Sequence, residues 1–468
     1  MRSRSQTFGR FSAVTSRRCV IFPRLRSGHP LASDDACYPR KRFVVFGVEL
    51  VRRLVATMRT SCLPLELLFH IFECLPRPHQ TPDIWRCAQV CRRWRTTLCK
   101  VMPWLWSTIE LDADALQNIN VLCHYLKRSH GRPLSITLKR CIRLAFNCEE
   151  GSDSDTASSK LEDYLEVLIP HCARWQDFSC QGLLAHELEQ FAPVKGRLPL
   201  LRHLHLYIHD DFLHDYPTDI DSFSIAPNLR SVRVLGTHLP RPPLVLPWTQ
   251  LDFYQANQSH RHLVDVLHKA PEMGTCMISS RPSVHVPYAG PSVYHENLHT
   301  LSVHGTHVLS HLSLPSLRNL TLTLNNPLEL VALTSFLKGN TKFPLRELKL
   351  TGRFCATNLS FSDLLKDLFT TTSASSLTTL DFGLLIPQAC NILYSLLTLT
   401  TEDEHTCILP ELECLTIHPS LLKYHCETML LAMMSSRVGA RRPRPAPKIK
   451  LGERESRNRH RARLHHRP

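Results

Sequence analysis

The chain has no run of about 18 uncharged apolar residues, the length a membrane-spanning helix needs. Its nearest approach, Phe43 to Val51, is short and interrupted by Glu49, so no membrane span is predicted. No CxxC pair occurs among its 18 cysteines, and there is no GxxxxGK[S/T] phosphate loop, no GxSxG elbow and no GxGxxG after a strand. These absences remove the common zinc frames, nucleotide cradles and hydrolase nucleophiles, so no enzyme activity, no cofactor and no metal is expected. Scattered cysteines, many at positions read below as buried or helical, fit reduced thiols in an intracellular compartment, cytoplasmic and/or nuclear.

The first 33 residues hold seven arginines and no acid, but they lack the apolar segment and cleavage site of a secretory signal. Such a start also resembles a mitochondrial presequence; the reading adopted is a flexible basic extension over 1–59, with Met58 a natural alternative start. Formal net charge is +15, yet residues 1–59 and 437–468 each contribute +10, leaving −5 for the stretch between them. The basic character therefore belongs to the two ends, and nucleic-acid binding by the body is not expected. A disordered basic tail is predicted over 437–468, where RRPRPAPKIK at 441–450 resembles a nuclear import signal.

Order is predicted from about residue 62. Leu63, Leu67, Leu68, Ile71, Phe72 and Leu75 recur at spacings of three and four, which makes a helical stripe, and Pro64 suits its first turn. Pro76 and Pro78 stop that helix, Thr81 to Asp83 start a second, and Val90, Cys91, Trp94 and Leu98 mark a third interleaved with arginines. Three helices in about 40 residues cannot bury much alone. A helical linker is read over 111–169, with a solvated acidic, Ser-rich loop at 149–163 in which Ser152 and Ser159 precede acids by three residues.

Beyond lies a recurring hexad with apolar residues at positions one, four and six. The last two, spaced by two, fall on one face of a short strand. The copies are Trp106/Ile109/Leu111, Trp175/Phe178/Cys180, Leu201/Leu204/Leu206, Leu229/Val232/Val234, Trp248/Leu251/Phe253, Met273/Cys276/Ile278, Leu298/Leu301/Val303, Leu317/Leu320/Leu322, Leu345/Leu348/Leu350, Leu377/Leu380/Phe382 and Leu412/Leu415/Ile417. From residue 175 the intervals are 26, 28, 19, 25, 25, 19, 28, 32 and 35 residues, against the roughly 20–29 of leucine-rich repeats. No single unit can bury its apolar edge, so an α/β, leucine-rich-repeat-like solenoid of parallel strands with an open concave face is predicted over 170–436.

The segment LPLELLFHIFECL at 63–75, then Asp83-Ile84 and VCRRWR at 90–95, resembles the F-box, and PWLWSTIEL at 103–111 resembles the fungal type of F-box protein. A Pro-rich insertion at 76–82, and Ile84 where Leu is common, depart from the pattern. The resemblance covers 62–110. It implies a three-helix module that docks a Skp-type adaptor, and through it a cullin, while the repeats hold an unknown protein substrate. The chain would then be the non-catalytic substrate receptor of a ubiquitin ligase; the alternative is a repeat-based scaffold with no ligase role. Leu63, Pro64, Leu67, Ile71, Phe72, Leu75, Val90 and Trp94 are the candidate adaptor-contacting or supporting residues, because a small helical unit with surplus apolar positions wants a partner to cover them.

Two strings in the sequence carry rival signals. His295-Glu296-Asn297-Leu298-His299 spells HExxH, which binds zinc only when a helix puts both imidazoles on one face; here Leu298 opens a hexad, so strand is predicted. His203, His205, His209 and His214 cluster, and with Leu204 and Leu206 inward the first two are predicted to point to the open face as partner contacts.

Overall fold

The computed structural model describes residues 63–73, 81–112, 119–140, 155–209, 220–236, 244–258, 260–279, 290–340, 343–353, 361–385, 389–398, 408–417, 427–438 and 448–451. Two compact units divide between Pro76 and Arg77.

In the first unit the described element is helix α1, Leu65–Glu73. Pro64 lacks a donor but offers its carbonyl to the Leu68 amide at 3.2 Å, so the first turn closes without loss. Leu68 and Phe72, one turn apart, are fully buried and Leu63 is buried ahead of them.

The second unit begins with helices α2 (Thr81–Val90) and α3 (Arg92–Thr96). Cys91 separates them, its sulfur accepting the Trp94 amide at 3.5 Å, and Arg95 Nε donates to the Ala88 carbonyl at 3.0 Å. A π turn at Thr97–Val101 and a 3-10 turn at Pro103–Trp106 lead into strand β1, Thr108–Asp112.

From there strands alternate with return segments: α4 (Ile119–Arg128), β2 (Leu134–Lys139), α5 (Asp155–Leu168), β3 (Trp175–Leu184), β4 (His203–His209), β5 (Ser231–Gly236), β6 (Phe253–Ala256), α6 (His260–Lys269), β7 (Thr275–Ile278), β8 (Val293–Tyr294) and β9 (Thr300–His304). They continue as β10 (Leu312–Ser313), β11 (Asn319–Leu324), α7 (Glu329–Gly339), β12 (Glu347–Arg353), α8 (Phe361–Phe369), β13 (Thr379–Leu385), α9 (Ala389–Leu397), β14 (Cys414–Ile417), α10 (Glu427–Val438) and β15 (Lys448–Leu451). Among the described residues thirteen strands pair in parallel in chain order, from β1 to β15, omitting β8 and β10, which pair with each other. Parallel pairing follows from connections that always run back through a helix or turn, and this long sheet makes the unit mixed α/β.

Register is kept by a repeated turn. The carbonyl of Arg202 accepts the amides of both Arg230 and Ser231 at 3.0 Å, and the carbonyls of Arg230, Asp252, Gly274, His299, Arg318, Arg346 and Thr378 each do the same for the next strand. Alternation then sends hexad positions four and six inward: Leu204 pairs with Val232 and Leu206 with Val234, all at 1% exposure or less. Helices cover their own apolar stripes, as with Leu330, Leu333 and Leu337 of α7, and neighbouring helices pack against each other. Burial raises the Cys180 thiol to about 12 and raises that of Cys276 as well, so both stay protonated core residues.

Four sequence expectations are corrected. The hexad Trp248/Leu251/Phe253 is displaced: Trp248 lies in a 3-10 turn, Tyr254 and Ala256 pair with Val232 and Val234, and the repeat is Leu251/Tyr254/Ala256. Residues 155–163 are not loop but the first turns of α5, because Leu161, Tyr164, Leu165 and Leu168 form a buried stripe that continues past the Ser-rich start. The linker 111–169 is not purely helical: β2 joins the sheet, with Ile136 and Leu138 beside Ile109 and Leu111. Strands also extend past 436, since 448–451 pairs with β14. Residues 1–59, 149–154, most of 437–468, and the sites Leu75 and His214 lie outside the described residues.

A glycine is required in β3, where the pairing with β4 shifts between Gln181 and Leu183. Gly182 has φ +80°, and a Cβ there would stand 2.4 Å from the Arg140 carbonyl oxygen.

Candidate functional site

Polarity along α1 is uneven. Pro64, Leu67 and Ile71 are spaced three and four residues apart and so run along one side of the helix. Leu67 is 48% exposed, Pro64 is exposed and Ile71 is half-buried, next to the exposed pair of His70 and Glu73, whose Nδ1 and Oε2 are 3.7 Å apart. Next to that line Leu68 and Phe72 are at 0% exposure, so Phe72 together with Leu63 supports the helix and does not present a surface. Sequence periodicity placed all of these in one stripe; the structure splits them into an outward line and a buried one.

In the second unit Val90, at the end of α2, is 38% exposed, while Trp94 is at 1%. Trp94 thus supports and Val90 presents. Arg92 and Arg95 are exposed around them. This helical segment is fixed to the start of the sheet: the Arg128 guanidinium lies 4.3 Å from the Trp85 ring centroid and 4.5 Å from that of Trp106, and the Trp106 indole donates to the Leu98 carbonyl at 2.8 Å. The two indoles meet edge-to-face at 5.7 Å with the cation against both, and Tyr125 is edge-on to Trp106 at 5.1 Å, so α2, α4 and the turn before β1 are packed together. Trp85 and Arg128 escaped the sequence reading; each is a lone residue on a helix, and only the fold brings them together.

The F-box-like family model matches residues 60–112. No curated protein matches the chain. F-box domains bind Skp-type adaptors, and the outward line Pro64, Leu67, Ile71 and the separate residue Val90 all fall inside the F-box-like match.

The other candidate is the face of the sheet opposite the core. His203 and His205 do point there from β4, and His203 Nδ1 lies 2.5 Å from Asp177 Oδ1. Burial, then Arg233, lowers the pKa of His205; burial, then Arg140, lowers that of His209. Arg233 and Phe253 share this face; the sequence pattern reads Phe253 as inward, while Arg233 falls at the hexad position between inward Val232 and Val234 and so was legible there. The HExxH string is not on a helix: His295 is buried with Nε2 at 3.0 Å from the Ala270 carbonyl, and the His299 amide donates to Gly274. Among the described residues no group of three His, Cys, Asp or Glu could hold a metal ion, and no helix is long and apolar enough to cross a membrane.

Proposed function

We propose that this chain is the substrate-recognition subunit of a Skp–cullin–F-box ubiquitin ligase, of the fungal type, with a leucine-rich-repeat-like solenoid as its target-holding part. The observation that carries the reading is the apolar line of exposed Pro64 and Leu67 with half-buried Ile71 within the F-box-like match. A water-facing Leu67 and a half-buried Ile71 beside fully buried Phe72 and Leu68 make a surface suited to another protein's apolar side chains. Val90 adds a second candidate contact; Leu63, Phe72 and Trp94 act as supports, and Leu75 completes the proposed set.

The parallel sheet supports the second half of the proposal, because its inner face is sealed and its outer face is free to carry recognition residues. Tethering a target beside a ubiquitin-transfer machine raises its effective concentration without any chemistry in the receptor. The chain itself is proposed to be non-catalytic, without cofactor, acting in the cytoplasm and/or nucleus.

Co-expression of the full chain with the Skp adaptor and cullin tests this. Stoichiometric recovery of both is expected, with adaptor recovery lost in Leu67→Ala combined with Ile71→Ala. Removing two partly buried aliphatic contacts should cost about 2 kcal/mol or more, on the order of thirtyfold in Kd. Recovery of other partners without the adaptor would instead favour a repeat-based scaffold with no ligase role.

A further inference from the structure

The outer face of the sheet is not chemically uniform. On β9 to β13 short neutral groups satisfy each other, with Asn319 Nδ2 donating to Thr300 Oγ1 at 3.2 Å and the Thr323 and Thr351 hydroxyls 3.0 Å apart, beside the outward His304 and Glu347. Among the described residues, Lys349 and Asp381 pair there at 2.8 Å and are internally neutral. On β4 to β6 the composition changes. Register sets His205 beside Arg233 and Arg233 beside Gln255; Arg202 and Arg230 stand exposed at the turns into β4 and β5, as Arg318 and Arg346 do at the turns into β11 and β12, but there the exposed Glu347 follows Arg346.

The charges of that region are unbalanced, with Asp252 at the turn into β6 its further exposed carboxylate against Arg202, Arg230 and Arg233. Asp177 is taken up by His203, and among the described residues neither Arg202 nor Arg233 meets a carboxylate. Arg233 instead lies over the outward Phe253, with its guanidinium carbon 5.0 Å from the ring centroid. An aromatic floor holds the guanidinium plane but uses none of its N–H donors, which leaves them free for a planar, two-oxygen acceptor. Arg230 is partly committed, donating to the Gln250 carbonyl at 2.8 Å.

We propose that strands β4 to β6 hold a carboxylate-rich peptide segment of the target protein, with Arg202 and Arg233 as its anchors and Phe253 as the shelf behind Arg233. This rests on the reading of the sheet as the target-holding part and names what it takes. Charge complementarity selects the occupant, since arginine pairs with carboxylate through two parallel hydrogen bonds. A nucleic acid is disfavoured: residues 60–436 carry a net −5, and the arginines form a local patch where a phosphate backbone needs a continuous basic track.

The test uses the full chain co-purified with the Skp adaptor and fluorescence anisotropy with three labelled probes: a short alternating Glu-Tyr peptide, the same peptide with Gln for Glu, and a thymidine oligonucleotide. The Glu-Tyr peptide should bind, more weakly as salt is raised, with the Gln-Tyr peptide at least about tenfold weaker. Arg202→Glu with Arg233→Glu should weaken the Glu-Tyr peptide by about tenfold or more, while Lys349→Glu on β12 changes it less than about twofold. The proposal is overturned if both peptides bind alike, if the Glu-Tyr peptide does not bind, if the oligonucleotide binds more tightly, or if Lys349→Glu weakens binding as much as the double variant. The two-peptide comparison needs no variant, so it stands even if the double variant does not fold. Adaptor recovery is read on the same samples: its loss from the unaltered chain removes the ligase reading, and failed peptide discrimination with the adaptor retained removes only the proposed target class.

Discussion

Helix α1 and the strand ladder treat leucine in opposite ways. On the strands, Leu204, Leu206, Leu320, Leu322, Leu348 and Leu350 are all at 1% exposure or less, each covered by side chains from its own chain. On α1, Leu67 stands 48% exposed three residues from Pro64, beside Leu68 at 0%. A repeated unit can always bury its apolar edge on the next unit, whereas a short helix with apolar residues on two sides cannot bury both. Apolar surface left open in this way is the proposed docking surface for another protein, and it lies within the F-box-like match over 60–112.

The contrast can be broken at graded strength. The largest effect is expected from Glu187→Ala, because Glu187 is at 0% exposure and pairs with Arg140 at 2.6 Å while also accepting the Leu184 amide at 2.8 Å. Leaving Arg140 buried without its partner should cost about 3–5 kcal/mol, read as a fall in the denaturant midpoint. Next comes Leu320→Ala on β11, expected to cost about 2–5 kcal/mol, whereas Leu67→Ala on α1 should stay within about 1 kcal/mol in the absence of adaptor. Equal losses at both positions would erase the distinction between the two leucines.

A pH series sharpens the sheet side. His171, His205 and His209 all have pKa values lowered below the ordinary value near 6.5, chiefly by burial. The unfolded chain therefore takes up protons that the fold declines, so stability is retained above that value and lost as pH falls below it. The melting temperature should drop between pH 7.5 and pH 5.5, and His205→Gln should reduce the drop. Smallest of all is Lys349 with Asp381, a partly exposed pair whose double-mutant cycle should give about 0–1 kcal/mol.

Much of the ladder was legible in advance because a spacing of two on a short strand has few rivals. Where it failed, the competing physics can be named. Trp248/Leu251/Phe253 and Leu251/Tyr254/Ala256 both satisfy the hexad, and only the register with Val232 and Val234 chooses the second, a choice that turns Phe253 outward under Arg233. Strand β2 has Pro133 where the hexad expects its first leucine, and β15 is hidden in a basic stretch. Helix α5 starts in Ser and Asp and shows its stripe only from Leu161 onward.

The candidate site was half legible. Periodicity found the helix and its apolar set, but which of Leu67 and Phe72 meets solvent depends on what covers the other side, and that is a tertiary fact. For the same reason the Trp85, Arg128 and Trp106 junction, assembled from three elements, left no local signal.

Amide hydrogen exchange on the full chain, with and without purified Skp adaptor, probes the open leucine line directly. Added adaptor should slow exchange along Leu65–Glu73 and leave β9 to β14 unchanged. Slowing confined to the strands, with Leu65–Glu73 exchanging as fast as before, would contradict the account.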